Sequence, residues 1–228
     1  MSILMIVLFA ILVITTIVWG QHQAKQRTEA LAALCRRRSW RLLPDHDRDM
    51  EGRYLAFTCL QYGSDRYAFN VFEGQSAGRP LCGFDYHYET TSIDSKGNTT
   101  THNHYFSALV VDVGLPLTPL VIRPEGFWDK VGALFGADDI DFELEEFSRQ
   151  FCVRGPDRRW AYDVLQQSTM EFLLGAPRFN IELHGSNIMC HRPSTFEPAE
   201  FEAALAVALG IVDRLPNEFQ QQQKGAPS

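Results

Sequence analysis

The sequence predicts an α+β protein: an N-terminal transmembrane helix, then antiparallel β-hairpins, then a strand-helix-hairpin-helix C-terminal half. Three observations predict it. The chain begins with a long apolar run, segments rich in aromatic and β-branched residues follow from residue 53, and helical patterns dominate after residue 125. Because the strands come first and the helices later, the order favours α+β over a repeated βαβ unit.

Residues 3–18, ILMIVLFAILVITTIV, are apolar except for two threonines. With Trp19 and Gly20 the run is roughly 27 Å long as a helix, close to the thickness of a bilayer core. No Lys or Arg precedes it and no small-residue cleavage site follows it, as a signal peptide would require. The run therefore predicts a retained anchor over residues 1–20, with a buried core helix as the alternative.

The positive charges near the anchor all follow it. Six of the 21 Lys and Arg residues lie within residues 1–41, against one of the 28 acidic residues. Since cations beside an anchor resist translocation, we expect a single-pass protein of the cell membrane with its C-terminal domain in the cytoplasm. Residues 21–41 are predicted to form a basic juxtamembrane helix or linker. The candidate membrane-surface-binding residues are Arg36, Arg37, Arg38 and Arg41.

The rest of the chain is acidic, and the whole carries a formal charge of −7. An acidic body is repelled by nucleic acid, so the expected partners are the lipid bilayer, through the N-terminal helix, and an unknown protein. The five cysteines are scattered, without a CxxC pair, which predicts reduced and mostly buried thiols. No cofactor, no metal and no catalytic residue is predicted.

Residues 42–124 are predicted to form an antiparallel β-rich half. Segments 54–62 and 66–72 flank a Gly63-Ser-Asp65 turn and predict a first hairpin. Segments 81–91 and 101–113 predict a second hairpin. A short strand is expected over 119–123.

Residues 125–216 are predicted to form an α/β half that packs on the first, as one domain or two small ones. We expect a short helix over 126–135, a strand over 142–153 and a helix over 157–174 capped by Asp157. Strands 179–183 and 188–190 should flank a tight hairpin at 184–187. Segment 200–215 predicts the last helix, and 217–228 a disordered tail.

The second predicted hairpin carries three histidines, and its loop decides whether they converge. The segment Asp94-Ser-Lys-Gly97 is typical of a three-residue loop with a bulge, a register that places His87 on the sheet face opposite His102 and His104. A two-residue Lys96-Gly97 loop would instead gather five potential metal ligands on one face. These are Asp85, His87, Glu89, His102 and His104.

Two further patterns suggest nucleophiles. Gly74-Gln-Ser-Ala-Gly78 matches the G-x-S-x-G motif, but the motif requires a helix after Ser76, and another strand is predicted there. Cys190 and His191 are adjacent, so on a strand they face opposite ways and cannot act as a pair. We expect a buried, inert Cys190.

The segments Phe147-Ser-Arg-Gln-Phe151-Cys-Val153 and Arg154-Gly-Pro-Asp157, with Ala161, Leu165 and Met170, resemble a group of uncharacterised bacterial proteins with an N-terminal single-pass membrane anchor and a cytoplasmic α+β domain. The likeness covers residues 140–192. It implies a bacterial, membrane-tethered protein and supplies no catalytic residue.

The leading hypothesis for function is a membrane-tethered, non-catalytic module that binds a protein or peptide. One alternative is a membrane-tethered hydrolase that uses Ser76 or a histidine-carboxylate metal site. The other is a sensor of anionic lipid that uses Arg36, Arg37 and Arg38.

Overall fold

A computed structural model describes residues 3–126 and 139–216. Six helices and six strands are labelled in chain order: α1 Ile3–Arg38, β1 Arg41–Leu42, α2 Met50–Arg53, β2 Ser64–Ser76, β3 Arg79–Ile93, β4 Thr99–Pro124, α3 Glu145–Ser148, β5 Phe151–Arg154, α4 Arg158–Val164, α5 Gln167–Gly175, β6 Asn180–Arg192 and α6 Pro198–Val212. A 3₁₀ turn covers Thr58–Leu60. The predicted α+β class, with an N-terminal helix and an antiparallel sheet, is confirmed.

Helix α1 is continuous from the apolar run into the basic segment. Residues 21–38 contain good helix formers and neither Gly nor Pro, so nothing interrupts the hydrogen-bond ladder. The helix ends where Ser39 adopts a left-handed conformation, φ 57°, and the Trp40 amide donates to the Cys35 carbonyl at 2.8 Å. This turn directs Trp40 onto the ring of Phe72, 5.3 Å away.

The sheet is antiparallel, and β4 lies at its centre. The strand order is β1-β2-β3-β4-β5, and β6 pairs with β4 as well. Val111 of β4 has Leu81 of β3 on one side and Ile188 of β6 on the other. Further along, Val121 lies between Arg154 of β5 and Glu182 of β6. The predicted halves 42–124 and 125–216 therefore share one sheet.

Strands β4 and β6 bend together. The register shifts between Asp112 and Leu117 of β4, opposite Gly185 of β6, which has φ 61°. The predicted tight hairpin at 184–187 is wrong, because both arms of β6 pair with β4 instead of with each other. The separate strand expected over 119–123 is likewise the continuation of β4.

Both faces of the sheet are covered. Helices α1, α4, α5 and α6 pack on one face around buried residues such as Phe72, Leu109 and Phe201. The segment 50–60 packs on the other face, where Phe57 and Leu60 contact the cluster that contains Phe84. We call these the helical face and the 50–60 face.

The predicted first hairpin is wrong in its first arm. Segment 54–62 is not a strand but a turn and a 3₁₀ helix, because its apolar residues fill the space under the sheet. The true first hairpin joins β2 to β3 through Ala77 and Gly78, which both have positive φ. The second hairpin, β3 and β4, is confirmed: residues 81–91 pair with 101–111, and β4 continues beyond the predicted end at 113.

The C-terminal half agrees in part with the elements predicted over residues 125–216. The predicted strand over 142–153 is reduced to β5 behind the short helix α3, and the helix over 157–174 is divided into α4 and α5. The Asp157 cap is confirmed by the Trp160 amide, which donates to its carboxylate at 3.1 Å. Helix α6 matches the predicted last helix. The expected short helix over 126–135 and the tail 217–228 fall on residues outside the described ranges, except for Gly126.

Gly83 makes room for an aromatic ring in the core. It pairs with Phe72, and a Cβ built on Gly83 would lie 2.1 Å from Phe72 Cζ. We expect Gly83→Ala to lower the free energy of unfolding by about 1–3 kcal/mol. The added methyl group would clash with the Phe72 ring, which is packed between Trp40 and Phe201 and cannot move aside. Urea unfolding measures the change.

The matched control is Gly175→Ala, because a Cβ at this glycine meets nothing within 4 Å. We expect a change within about 0.5 kcal/mol. Equal effects of the two substitutions would contradict the packing described for Phe72.

Candidate functional site

Helix α1 has two halves with opposite surroundings. In its first half large apolar side chains point into solvent, and their exposed fractions run from 38% for Val13 to 70% for Trp19. In its second half Leu31, Leu34 and Cys35 are 1–2% exposed and belong to the main core. Of the two alternatives expected for residues 21–41, a basic juxtamembrane helix or a linker, residues 21–38 therefore form a helix that packs onto the body.

The predicted transmembrane span is not supported by the structure. Across residues 3–126 and 139–216, no helix combines the length and the apolarity needed to cross a membrane. The first half of α1 nevertheless exposes many large apolar side chains, a feature that in soluble monomers marks an interaction site.

A buried ion pair fastens α1 to the sheet. Arg27 Nη1 and Nη2 donate to the two oxygens of Asp85 at 2.7 and 2.8 Å. The Asp85 side chain is fully buried, and the Arg27 side chain is 15% exposed. A bidentate pair of this kind is both strong and specific in its geometry.

Two further donors complete the surroundings of the Asp85 carboxylate. Asn70 Nδ2 donates at 2.7 Å and Ser107 Oγ donates as well. Asn70 reaches the carboxylate because it lies in the bulge of β2 between Phe69 and Phe72, with φ 49°. The buried charge is therefore neutralised and hydrogen-bonded, which is the condition for tolerating it.

The same network holds the segment before α6. Arg27 Nε donates to the Phe196 carbonyl at 2.7 Å, and the Phe196 amide donates to Ser107 Oγ at 2.8 Å. Helix α1, strands β2, β3 and β4, and the entry to α6 therefore meet at one polar point. The sequence carries a signal for it in Arg27, Leu31, Leu34 and Cys35, which form one stripe of α1.

Three of the predicted membrane-surface residues, Arg36, Arg37 and Arg38, lie at the C-terminal end of α1, and Arg41 lies in β1. Arg37 and Arg38 pair with Glu202 of α6 at 3.3 and 2.5 Å, and Arg41 pairs with Glu73 at 2.9 Å. Arg36 begins roughly 25 Å beyond Trp19 along the helix axis, since each residue adds about 1.5 Å. That distance exceeds the Debye length of about 8 Å at physiological salt. The binding of these four arginines to lipid headgroups stays a prediction.

The hairpin histidines do not converge. Asp94 pairs with Asn98, Gly97 has φ 84°, and His87 lies opposite Tyr105, which confirms the three-residue loop. His87 is buried on the helical face between the Asp65 carbonyl and Asn103. On the other face, His104 Nε2 contacts Thr90 and His102 Nε2 contacts Ser92.

The Ser76 motif lacks the geometry of a nucleophile elbow. Ser76 pairs with Arg79 across a two-residue turn, and β3 follows directly. Because no helix begins there, no helix N-terminus could present or activate the hydroxyl.

Cys190 and His191 face opposite sides of β6, as predicted. Cys190 lies in the core of the helical face, and burial raises the pKa of its thiol to about 12. A thiol with this pKa stays protonated at neutral pH and is not a nucleophile. None of the five cysteines forms a disulfide, and four of them are buried, in agreement with the expectation of reduced and mostly buried thiols.

A buried polar cluster that the sequence did not reveal lies on the 50–60 face. Glu182 Oε1 and His191 Nε2 are 3.0 Å apart although nine positions separate them in β6. A straight strand would hold these residues about 30 Å apart, so the bend at Gly185 creates the contact. Arg123 Nη2 lies 3.7 Å from Glu182, and Cys59 completes the cluster.

An aromatic patch lies on the helical face beyond Asp85. The rings of His46, Tyr67, Phe69, His87 and Tyr105 contact one another, with centroid separations of 4.6–6.2 Å. Tyr105 is 48% exposed, while Arg48 lies over the Tyr67 ring at 5.4 Å. Aromatic residues and arginine in one exposed group are typical of protein-binding surfaces.

Comparison with known proteins shows the fold alone. No protein-family model matches the sequence, and no curated protein matches it. The crystal structure of the mycobacterial trehalose monomycolate transport factor A, TtfA, shares the fold with a TM-score of 0.59 at 12% sequence identity. The alignment covers 83% of this chain and 96% of that one.

We expect Arg27→Met to lower the free energy of unfolding by about 3–5 kcal/mol, because it leaves the buried Asp85 carboxylate without a countercharge. Chemical denaturation of the full-length protein in detergent micelles measures the loss.

Lys25→Met provides the control on the same helix. Its pair with Glu29 is long, at 3.9 Å, and both side chains are at least 67% exposed, so we expect almost no change. An Arg27→Met protein as stable as Lys25→Met would show that the ion pair does not hold α1.

Proposed function

We propose that the chain is a membrane-associated, non-catalytic factor that binds a protein partner. The observation that carries the proposal is the division of α1 into an exposed apolar half and a docked half. A helix whose first half inserts into a membrane and whose second half packs in the core of the body holds that body in a fixed orientation beside the lipid. Such an arrangement suits an accessory protein that must present one surface to a neighbour.

The fold likeness supports the same general role. TtfA is named a transport factor, and its fold covers most of both chains. We propose an accessory role of that kind for this chain, without assigning its cargo. The hydrolase alternative loses support, since the turn after Ser76 and the opposed hairpin histidines offer no catalytic geometry. The lipid-sensor alternative loses support because Arg36 begins roughly 25 Å beyond Trp19 along α1, which exceeds the Debye length of about 8 Å at physiological salt.

We place the protein-binding surface at the aromatic patch. Tyr and Phe rings contribute large apolar area at low entropic cost, and hot spots in interfaces are enriched in Tyr and Arg. The patch lies on the same sheet face as α1 and next to Asp85. A partner that binds there would contact the body close to the point where α1 leaves it.

The apolar half of α1 is expected to provide the membrane association. Replacing Leu8, Phe9 and Leu12 together by Gln should release the protein from membranes, because these side chains are 57–68% exposed and contribute little to the core. Flotation of cell membranes on a density gradient measures the bound fraction. Leu55→Gln is the control, since Leu55 is 71% exposed but belongs to the body. If the triple variant floated like the wild type, the proposed anchor would be wrong.

The body is proposed to face the cytoplasm, because the cations of the chain follow the apolar run. We expect protease added to sealed inside-out vesicles to degrade the body, and protease added to right-side-out vesicles to leave it intact. The reverse pattern would place the body on the other side of the membrane.

A photoreactive amino acid in place of Tyr105 is expected to crosslink one discrete partner protein in intact membranes. The same amino acid in place of Tyr162 is the control, because Tyr162 is equally exposed, at 46%, but lies on α4, away from the patch. Mass spectrometry of the adducts compares the two positions. Identical adducts at both positions, or none at Tyr105, would refute the assignment of this surface.

A further inference from the structure

The buried cluster on the 50–60 face brings together three side chains of metal-binding types. The thiol of Cys59, the carboxylate of Glu182 and the Nε2 atom of His191 all lie within 4.8 Å of one another. Their exposed fractions are 7%, 2% and 4%. Each comes from a different part of the fold: the 3₁₀ turn, the first arm of β6 and its second arm.

We propose that Cys59, Glu182 and His191 bind a divalent transition-metal ion of the zinc class. This site is independent of the proposed protein-binding function. Thiolate, imidazole and carboxylate are the three donor types that zinc takes in proteins, at about 2.0–2.3 Å. Ligand atoms around a tetrahedral ion lie roughly 3.2–3.7 Å apart, so the observed separations require only small side-chain movements.

The surroundings leave room for a fourth ligand. A cavity of about 90 Å³ borders Cys59 and His191 and is lined further by Tyr88, His104 and Phe106. A water molecule occupies about 30 Å³ in the liquid, so the cavity can hold one beside the ion. A zinc ion held by three protein ligands takes a water or another small molecule in its fourth position.

The charges around the cluster set the strength of binding. Arg123 lies 3.7 Å from Glu182, and its Nε atom has no hydrogen-bond partner among the described residues. A guanidinium this close competes with a dication for the carboxylate, so the ion must be bound chiefly by the thiolate and the imidazole.

Cobalt(II) is the probe that tests the site. Full-length protein in detergent micelles, kept reduced, is titrated with Co²⁺, and the sulfur-to-cobalt charge-transfer absorption in the near ultraviolet reports thiolate ligation directly. We expect one equivalent to bind with this band, and Zn²⁺ to displace it. The absence of the band in the wild-type protein would overturn the proposal without any variant.

Variants then assign the ligands. Cys59→Ser should abolish the charge-transfer band, and His191→Gln should weaken cobalt binding by roughly tenfold or more while keeping the thiol. Cys152→Ser is the control, since Cys152 contacts Asp139 and lies outside the cluster. Circular dichroism verifies that each variant is folded. A band that persists in Cys59→Ser, or disappears in Cys152→Ser, would contradict the assignment.

Discussion

The buried ion pair between Arg27 and Asp85 is the constraint on which the rest of the structure depends. A carboxylate without solvent contact is tolerable only when its charge is paired and its oxygens are hydrogen-bonded, and Arg27, Asn70 and Ser107 meet both conditions. Around the pair, α1 lies on the helical face, the bulge in β2 directs Asn70 to Asp85, and the Phe196 carbonyl accepts a hydrogen bond from Arg27 Nε. The ion pair therefore specifies how helix, sheet and C-terminal segment fit together, and it transmits the orientation of α1 to the body.

The bend of β4 and β6 is the second feature that shapes the molecule. A straight antiparallel pair would leave the two arms of β6 far apart, whereas the shift at Asp112–Leu117 and the left-handed Gly185 fold the ribbon back. Burial of Glu182 against His191 follows from that fold, and so does the closeness of Cys59. The sheet thus presents two chemically distinct regions: an aromatic patch on the helical face and a buried polar cluster on the 50–60 face.

Local signals in the sequence predicted the elements that local interactions decide. The loop Asp94–Gly97 determined the register of the second hairpin and so separated His87 from His104. Asp157 likewise marked the start of α4. Segment 54–62 has strong strand propensity but lies under the sheet, because Phe57 and Leu60 gain more from burial there. The joint bend of β4 and β6 depends on pairing between distant segments, so the buried cluster of Cys59, Glu182 and His191 could not be recognised from spacing along the chain. The partner of Arg27 is equally distant in sequence, because Asp85 lies 58 residues away on β3.

Amide hydrogen exchange on the full-length protein in detergent micelles tests the central claim most directly. If α1 is locked to the sheet through Arg27 and Asp85, amides in residues 28–38 should exchange as slowly as those in the middle of β3 and β4, because they open only when the body unfolds. Exchange in residues 28–38 that is orders of magnitude faster than in β4 would show a helix that moves independently of the body, and would contradict the role assigned to the ion pair.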